Sequence, residues 1–175
     1  MSEDEFLSIF NKHHKQVYRH AFYLLKNTEC AEDMTQETFV KAWQLKNDLR
    51  ISTVHSWLLK CVQNLCFNEL KRPKYQVYPS DEFTDIVNNL HHSEPIQHVQ
   101  SPEKIVCNEE TKRLVHQAIG KLPPRLRLIV VMRELDEMSY SDISHVMGIP
   151  EGTVKSNLYR ARKKLRKILS NMLEK

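Results

Sequence analysis

The sequence predicts an all-α protein made of two small helical domains joined by a linker. Only three glycines occur in 175 residues, so turns that need positive φ cannot be built repeatedly, which disfavours a sheet protein. Apolar residues recur at steps of three and four along most of the chain, as in amphipathic helices. One central stretch loses this period and gathers prolines, as an interdomain connection does.

Two helices are predicted at the start of the chain. The apolar period indicates an amphipathic helix over residues 5–26. Asn27 or Thr28 can cap a second helix, whose acidic first turn suits the positive end of the helix dipole. This helix runs to about Lys46 and carries Trp43 beside its apolar face. We expect Trp43 to be a core residue rather than a platform for stacked bases.

A third helix completes the N-terminal half. A polar loop over 47–53 leads to a helix over 54–72, with Trp57 on its apolar stripe and therefore also expected in the core. Pro73 ends this helix because a proline ring disfavours helical geometry in the residue before it. The first domain is thus predicted over residues 1–73.

Residues 74–102 are predicted to form the linker. They contain Pro79, Pro95 and Pro102 and no helical period. The surrounding stretch 74–110 has two basic residues against seven acidic ones. The linker is therefore expected to be acidic.

The second domain is predicted over residues 103–175, where helical periodicity returns. Its expected elements are a helix over 103–122, a helix opened by Pro124, a short helix over 139–147, and a long helix from Glu151 into the tail.

The last two of these helices form a helix-turn-helix pattern. Ser139 can cap the first of them with Asp142 three residues on, and Gly148 permits the tight turn. The second helix has a regular apolar stripe, which predicts a buried face made of Val154, Leu158, Ala161, Leu165 and Ile168. This pairing of helices is typical of DNA-binding proteins.

The exposed side of the last helix is strongly basic. Residues 151–175 have eight basic side chains against two acidic ones, although the whole chain carries a net charge of only +4. Hydrogen-bonding and cationic side chains near the helix start can read base edges in a major groove, and later cations can neutralise phosphates. A solvated basic helix is the plainer interpretation, but turn chemistry, core spacing and charge coincide here and favour DNA reading.

Several function classes fit the sequence poorly. No run of about 18 apolar residues exists and the N-terminus is acidic, so we expect a cytoplasmic protein without membrane insertion. The four cysteines lack paired spacing and are expected to be reduced thiols. A metal-dependent hydrolase or nuclease using Glu32, Asp33, Glu37 and histidines is disfavoured because no ligand cluster appears. We therefore predict no catalytic residue, no metal and no cofactor.

Five segments of the sequence resemble those of a known family. The segments Ala118-Ile-Gly-Lys-Leu-Pro-Pro-Arg-Leu-Arg127, Met138-Ser-Tyr-Ser-Asp-Ile-Ser144 and Gly152-Thr-Val-Lys-Ser-Asn-Leu-Tyr-Arg-Ala-Arg162 resemble region 4 of sigma factors of the extracytoplasmic-function (ECF) group. The segment Ala31-Glu-Asp-Met-Thr-Gln-Glu-Thr-Phe-Val-Lys-Ala-Trp43 resembles region 2.2, and Trp57-Leu-Leu-Lys-Cys-Val-Gln-Asn-Leu-Cys-Phe-Asn-Glu-Leu-Lys-Arg72 resembles regions 2.3 and 2.4. The resemblance covers most of both predicted domains.

In the N-terminal half, the resemblance implies contacts with RNA polymerase and with the minus-ten element. Asp33, Gln36 and Glu37 would dock onto the clamp helices of core polymerase, although an ordinary solvated acidic face is the alternative. The loop over 45–53 corresponds to the family's pocket for a flipped base. The residues that would face the opened single strand are Asn64, Asn68, Lys71 and Arg72. A polar pocket can read unstacked bases while a basic edge holds their phosphates.

In the C-terminal half, the resemblance implies contacts with the minus-thirty-five element. These map to Lys155, Ser156, Tyr159 and Arg160, with phosphate contacts from Arg162 and Lys163. The arginine guanidinium can donate two coplanar hydrogen bonds to one base, and lysine cannot. Base discrimination at Lys155 is therefore expected to be weaker than in relatives with arginine there.

The resemblance also implies partners and a regulator. We expect core RNA polymerase and promoter DNA as partners, and an anti-sigma factor that holds the protein inactive. The acidic linker is similar in character to the family's connector near the RNA exit path, although a merely soluble tether is as good an interpretation. Two alternatives remain: a conventional operator-binding regulator, which would need a sensor or dimerisation domain in residues 1–73, and a protein adaptor, with which the basic recognition helix conflicts.

Overall fold

The computed structural model describes residues 1–72 and 102–174, with side chains in the second range from residue 110 onward. Within these residues it contains helices and no strand, which confirms the all-α prediction. The elements are α1 (Glu3–Leu25), α2 (Thr28–Gln44), α3 (Ile51–Glu69), α4 (Pro102–Gly120), α5 (Pro124–Val130), a π-helical turn (Val131–Leu135), α6 (Tyr140–Met147) and α7 (Glu151–Leu173). Apart from Pro102, the predicted linker lies outside the described residues.

Capping residues set the starts of the first two helices. At α1, the Glu5 backbone amide donates to Ser2 Oγ at 3.2 Å, and the Ser2 amide donates to Glu5 Oε2 at 2.7 Å. This reciprocal pair satisfies two amides that have no partner within the helix. At α2 the cap is Asn27, whose side chain accepts from the Cys30 amide at 2.8 Å.

The third helix starts earlier than predicted. It begins at Ile51 rather than Val54, since a turn over 45–48 already reverses the chain. The loop assigned to residues 47–53 is therefore shorter than expected. Arg50 precedes the helix in extended geometry, and its carbonyl accepts from the Thr53 amide at 3.0 Å.

Helices α1, α2 and α3 pack around one apolar core. Its fully buried members include Val17, Phe22, Ala42, Leu58 and Val62. The two tryptophans expected in this core lie at its edge and are half-buried. Trp57 packs against the core, and Trp43 makes an edge contact with Phe6 at 5.0 Å between ring centroids.

The C-terminal half folds as its turn residues predict. Pro124 occupies the first turn of α5, Ser139 caps α6, and Gly148 has the left-handed φ of 64° that ends α6. Of the stripe predicted to be buried on α7, Val154, Leu158 and Ala161 are buried. Leu165 and Ile168 are only half-buried, which corrects that prediction. The 23 residues of α7 extend well beyond the eight residues of α6, so the later part of the stripe is less covered.

The two halves pack against each other. Helix α1 contacts α5, α3 contacts α6, and the buried apolar residues of both halves form one continuous core. The interface between the two halves is called the seam below, and Arg127 of α5 lies in it. Its guanidinium donates from Nη1 to the Tyr23 carbonyl at 2.5 Å and from Nη2 to the Leu122 carbonyl at 2.8 Å, with a longer bond from Nη1 to the Leu24 carbonyl at 3.3 Å.

These carbonyls explain why a cation is buried at this place. Tyr23 and Leu24 lie in the last turn of α1, where carbonyls lack partners within the helix and the helix dipole is negative. Arg127 is 6% exposed, and burial lowers its pKa to about 10. The guanidinium therefore stays charged at neutral pH and caps a helix of the other half.

A second polar contact joins the halves at Asp136, which follows the π-helical turn. The side chain of Asp136 is 1% exposed and binds Arg19 and His20 of α1, with His20 Nε2 at 2.5 Å from its Oδ2. Burial favours the neutral carboxyl, but the hydrogen bond from His20 and the charges of His20 and Arg19 outweigh burial and hold the pKa of Asp136 below its ordinary value.

Candidate nucleic-acid and polymerase interfaces

The exposed face of α7 lies directly opposite its buried stripe. Val154, Leu158 and Ala161 point into the core, and this orientation turns the residues between them to solvent. All six residues predicted to contact the minus-thirty-five element are exposed on α7: Lys155, Ser156, Tyr159, Arg160, Arg162 and Lys163. Tyr159 is the most notable of them, because 69% of an aromatic residue is left in water.

The turn before α7 fixes the angle between the two helices of the motif. The Ser144 hydroxyl donates to the Ile149 carbonyl at 2.6 Å, and the Ile149 amide donates to the Ser144 carbonyl at 3.2 Å. Gly148 supplies the positive φ between them. A side chain on α7 is thereby presented in a defined direction relative to α6.

Two of the predicted contact residues already interact within the protein. The Lys155 Nζ lies 5.5 Å from the centroid of the Tyr140 ring, which also faces Arg133. Arg162 is held by Glu134 through bonds of 2.7 Å from Nη2 and 3.2 Å from Nε. Since both side chains of this pair are about half exposed, the pair is weak, and a phosphate can compete for Arg162.

A second polar surface runs along the end of α3. Asn64, Asn68, Lys71 and Arg72 are all exposed, and their spacing of four, three and one places them along one side of the helix and its final turn. Arg72 is held in part by an ion pair of 2.8 Å to Glu69, whose own side chain is 8% exposed. The surface offers amide groups first and cations after them, and cations in such a row can follow the backbone of a single strand.

The turn between α2 and α3 leads directly into α3 and exposes apolar side chains. Leu45 is 42% exposed and Ile51 is 57% exposed. These side chains flank the segment that the resemblance relates to a pocket for a flipped base. Exposed apolar groups at the mouth of a polar turn suit an unstacked base, because a base has an apolar face and polar edges.

The predicted polymerase-binding residues share one face of α2. Asp33 and Gln36 are exposed, and Glu37 is half-buried with an ion pair of 2.7 Å to Lys41 one turn later. The opposite face of the helix buries Ala31 and Phe39 against the core. The structure therefore keeps the three groups of predicted site residues on three different helices.

Sequence reasoning missed the residues that join the two halves. Arg19 and His20 of α1 and Asp136 of the C-terminal half gave no local signal, since Arg19 and Asp136 are 117 positions apart. Arg127 gave one signal that could have been used. It stands between Leu126 and Leu128 in α5, and a cation flanked by apolar residues in this way indicates a buried charge with a specific partner.

The described residues contain neither a metal-ion cluster nor a membrane-spanning helix. In that part of the chain, no group of three or more histidine, cysteine, aspartate or glutamate side chains is placed to hold a metal ion. None of the described helices is long and apolar enough to cross a membrane.

Two family models match this chain. The family model of Sigma-70 region 2 matches residues 9–74, and that of Sigma-70, region 4 matches residues 112–165. These two ranges contain all of the predicted contact residues.

Similar proteins span most of the chain. It is 29% identical to the ECF RNA polymerase sigma factor SigW of Bacillus subtilis, over 97% of this chain and 91% of the relative. It is 33% identical to the RNA polymerase sigma-H factor of Pseudomonas aeruginosa, over 82% of this chain and 75% of the relative. It is 32% identical to the ECF RNA polymerase sigma-E factor of Escherichia coli, over 74% and 69%.

Two solved structures share the fold. The sigma factor RpoE of Bartonella quintana, in complex with the anti-sigma factor NepR, matches with a TM-score of 0.67 and 19% identity over 94% of this chain and 96% of that one. CnrH, in complex with the cytosolic domain of CnrY, matches with a TM-score of 0.64 and 20% identity, over 95% and 88%.

Proposed function

The chain belongs to the ECF group of RNA polymerase sigma factors, and we propose that it directs core polymerase to promoters through the contact residues on α2, α3 and α7. The observation that carries this proposal is the exposed face of α7, opposite a buried stripe and fixed by the turn at Gly148. In this function the protein catalyses no reaction and acts in the bacterial cytoplasm. Residues 1–73 form the first functional unit, and residues 103–175 form the second.

Region 4 reads the minus-thirty-five element. Lys155, Ser156, Tyr159 and Arg160 lie in the first three turns of α7, the part of a recognition helix that meets base edges. Lys155 donates to guanine acceptors from one nitrogen atom, whereas Arg160 can donate two hydrogen bonds in one plane. Arg162 and Lys163 neutralise phosphates. Arg162 must exchange its bond with Glu134 for this contact.

Region 2 holds the opened minus-ten element. The amides of Asn64 and Asn68 hydrogen-bond to the edges of unstacked bases, and Lys71 and Arg72 hold the phosphates that follow. Leu45 and Ile51 flank the turn where a flipped base is received. Because these contacts are available only to separated strands, their binding energy favours the open duplex.

Core polymerase binds the exposed face of α2. Asp33 and Gln36 supply a carboxylate and an amide that protrude from a helix anchored by its buried side. Glu37 contributes a second carboxylate once its pairing with Lys41 is exchanged for a polymerase contact. Such rim charges accelerate association and select the partner.

Promoter binding requires the two halves to separate. The minus-ten and minus-thirty-five elements are about 25 base pairs apart, or about 85 Å of B-form DNA. A compact chain of 175 residues has a radius of gyration of about 16 Å. The packed arrangement is therefore too small to occupy both elements, and the seam at Arg127 and Asp136 must open on the promoter.

An anti-sigma factor holds the protein inactive in this proposal. One solved structure with the same fold, RpoE of Bartonella quintana, is a complex with the anti-sigma factor NepR, which supports a similar partner here. Covering Asp33 or Gln36 would block polymerase binding, and covering Lys155 would block DNA binding. Charge reversal in Asp33→Lys and Lys155→Glu should then weaken inhibitor binding in a pull-down with the purified partner, and unchanged binding of both variants would rule out this mode of inhibition.

Promoter-specific transcription in vitro tests the proposed function. Wild-type protein with core polymerase should initiate at its promoter. Asp33→Ala should reduce initiation through weak core binding, whereas Lys155→Ala should reduce it through weak binding of the upstream element. Glu32→Ala and Arg166→Ala are the matched controls, since they remove an exposed charge of the same sign from the same helices. Operator binding without any core binding would instead identify a conventional regulator.

A further inference from the structure

The turn that leads from α2 into α3 is held by a cation that lies over an aromatic ring. The Nζ of Lys46 lies 3.6 Å from the centroid of the Trp43 ring, and Lys46 is half-buried. The same ring makes an edge contact with Phe6 of α1, with 5.0 Å between the ring centroids. The face of an indole ring attracts a cation at this distance, and more strongly where water is partly excluded. Phe6, Trp43 and Lys46, called the Trp43 cluster below, therefore join α1, α2 and the turn.

The turn contains no glycine and depends on its side chains for support. Residues 45–48 reverse the chain, and α2 ends at Leu45 with a φ of −96° rather than in the left-handed geometry of a glycine cap. The Leu45 carbonyl accepts from the Leu49 amide at 3.0 Å. Leu49 packs against the core at the far end of the turn, and Lys46 belongs to the Trp43 cluster at its near end. The turn is therefore anchored at both ends.

The Trp43 cluster lies next to the side chains proposed to receive the flipped base. Leu45 directly precedes Lys46 and is 42% exposed, and Ile51 begins α3 and is 57% exposed. Because adjacent residues share a backbone, the direction of Leu45 depends on where Lys46 is held. A lysine side chain without a partner samples many rotamers, and the ring contact restricts this freedom. The contact therefore gives Leu45 a defined direction relative to Ile51.

The ring and the cation are already engaged within the protein. Trp43 is half-buried and its ring has partners in Phe6 and Lys46, which disfavours stacking with a base. The Lys46 cation also lies just beyond the last turn of α2, where the helix dipole favours positive charge. A ring and a cation that satisfy each other in this way act on DNA through the turn rather than by touching it.

We propose that Trp43 and Lys46 are positioning residues for recognition of the minus-ten element. Their contact holds the turn so that Leu45 and Ile51 flank the flipped base. The inference rests on the proposed function of region 2 and extends it to two residues that touch no DNA. A displaced turn leaves the cations at the end of α3 free to hold phosphates. Loss of the contact should therefore lower discrimination between bases and leave the salt dependence of binding unchanged.

Base preference in the minus-ten element tests this proposal. Holoenzyme assembled from core polymerase and the full chain is titrated onto fork-junction DNA, whose minus-ten segment is single-stranded and carries each base in turn at each position. Lys46→Met keeps most of the side-chain stem and removes its charge. It should reduce the preference for the best base at one position by about 3- to 30-fold, the factor equivalent to one partly desolvated cation–π contact.

Two further variants at lysine positions serve as controls. Lys46→Arg should retain the base preference, since a guanidinium also binds an aromatic face. Lys15→Met removes an exposed cation from α1, outside the Trp43 cluster, and should leave the preference unchanged. Core binding by Lys46→Met should equal that of wild type, so that a lost preference cannot be attributed to misfolding of region 2.

A double variant shows whether the two residues act together. Trp43→Leu should lose the same preference, and the addition of Lys46→Met should cause little further loss, because the pair shares one interaction. If Trp43→Leu unfolds, the comparison of Lys46→Met with Lys46→Arg decides the question alone.

Three results would overturn the proposal. The first is an unchanged base preference in Lys46→Met, and the second is an equal loss in Lys15→Met. The third is equal weakening with every base and a smaller salt slope, which would make Lys46 a phosphate contact. A wild-type holoenzyme without any base preference in the minus-ten segment would instead count against the proposed function of region 2.

Discussion

Arg127 and Arg160 belong to the same half of the protein and have opposite surroundings. Arg127 is buried and donates to three backbone carbonyls, two of them at the end of α1. Arg160 is exposed, and within the described residues no ion pair engages it. The protein satisfies the cations of its internal seam, whereas the exposed cations proposed to bind DNA are either open, as Arg160 is, or held by an exposed pair, as Arg162 is. We therefore expect the seam to determine stability and the exposed cations to determine binding.

The largest effect is expected from Arg127→Ala. The substitution leaves the carbonyls of Tyr23, Leu24 and Leu122 without their donor and creates a cavity beside α1. We expect the free energy of unfolding to fall by about 3 to 5 kcal/mol, because each buried carbonyl left without a donor costs about 1 to 3 kcal/mol and the cavity adds to this loss. Urea denaturation followed by circular dichroism measures this change.

Arg160→Ala is the control for that measurement. It should leave stability within about 0.5 kcal/mol of wild type, as exposed substitutions do, and should weaken promoter binding. A similar loss of stability in both variants would contradict the distinction between seam and surface.

The next largest effect is expected from Asp136→Asn. This change leaves Arg19 and His20 in the seam without their carboxylate, and we expect a loss of about 2 to 4 kcal/mol at neutral pH. Because the folded pKa of Asp136 lies below its unfolded value near 3.8, its contribution is present above that value and is lost as the pH falls through the folded pKa.

Denaturation of both proteins from neutral pH down into strong acid checks the sign of this effect. The difference between wild type and Asp136→Asn should be constant near neutrality and should shrink in strong acid. A difference that grows toward acid would show that the Asp136 carboxylate does not stabilise the seam.

Lys155 is expected to affect base discrimination rather than folding. Lys155→Ala should reduce discrimination at one base pair of the upstream element by about 1 to 3 kcal/mol. Lys155→Arg should increase discrimination at that base pair, because arginine can donate two bonds to guanine. Binding of promoter fragments with each base at each position would locate the pair. Equal losses at every position would make Lys155 a phosphate contact.

The smallest effect is expected from Glu134→Gln. An exposed pair contributes about 0.2 to 1 kcal/mol, so stability should hardly change when Arg162 is released. Promoter affinity should rise slightly, since Arg162 no longer has to leave a carboxylate in order to meet a phosphate. Reduced affinity, measured on the same promoter fragment, would show that Glu134 positions Arg162 for its contact.

Local physical chemistry explains which features could be predicted from the sequence. Caps and turns depend on a few neighbouring residues, and Asn27, Pro124 and Gly148 have the predicted roles. The exposed faces that carry the predicted contact residues could be located because a regular buried stripe defines the opposite, exposed face of its helix. The partial exposure of Leu165 and Ile168 at the end of the stripe could not be predicted, because their burial depends on how far the neighbouring helices extend.

The contacts in the seam between the two halves could not be predicted from the sequence, for a different reason. The pairing of Asp136 with Arg19 and His20 joins residues more than 100 positions apart, and a single sequence carries no signal for such a distance.

The distance between the two halves tests the central claim most directly. Donor and acceptor dyes at Ser52 and Ser170, which are exposed in different halves, should transfer energy efficiently in the free protein. Addition of core polymerase and promoter DNA should abolish this transfer, as expected when the two elements are occupied about 85 Å apart. Efficient transfer that persists in an initiating promoter complex would contradict the claim that the seam opens for promoter recognition.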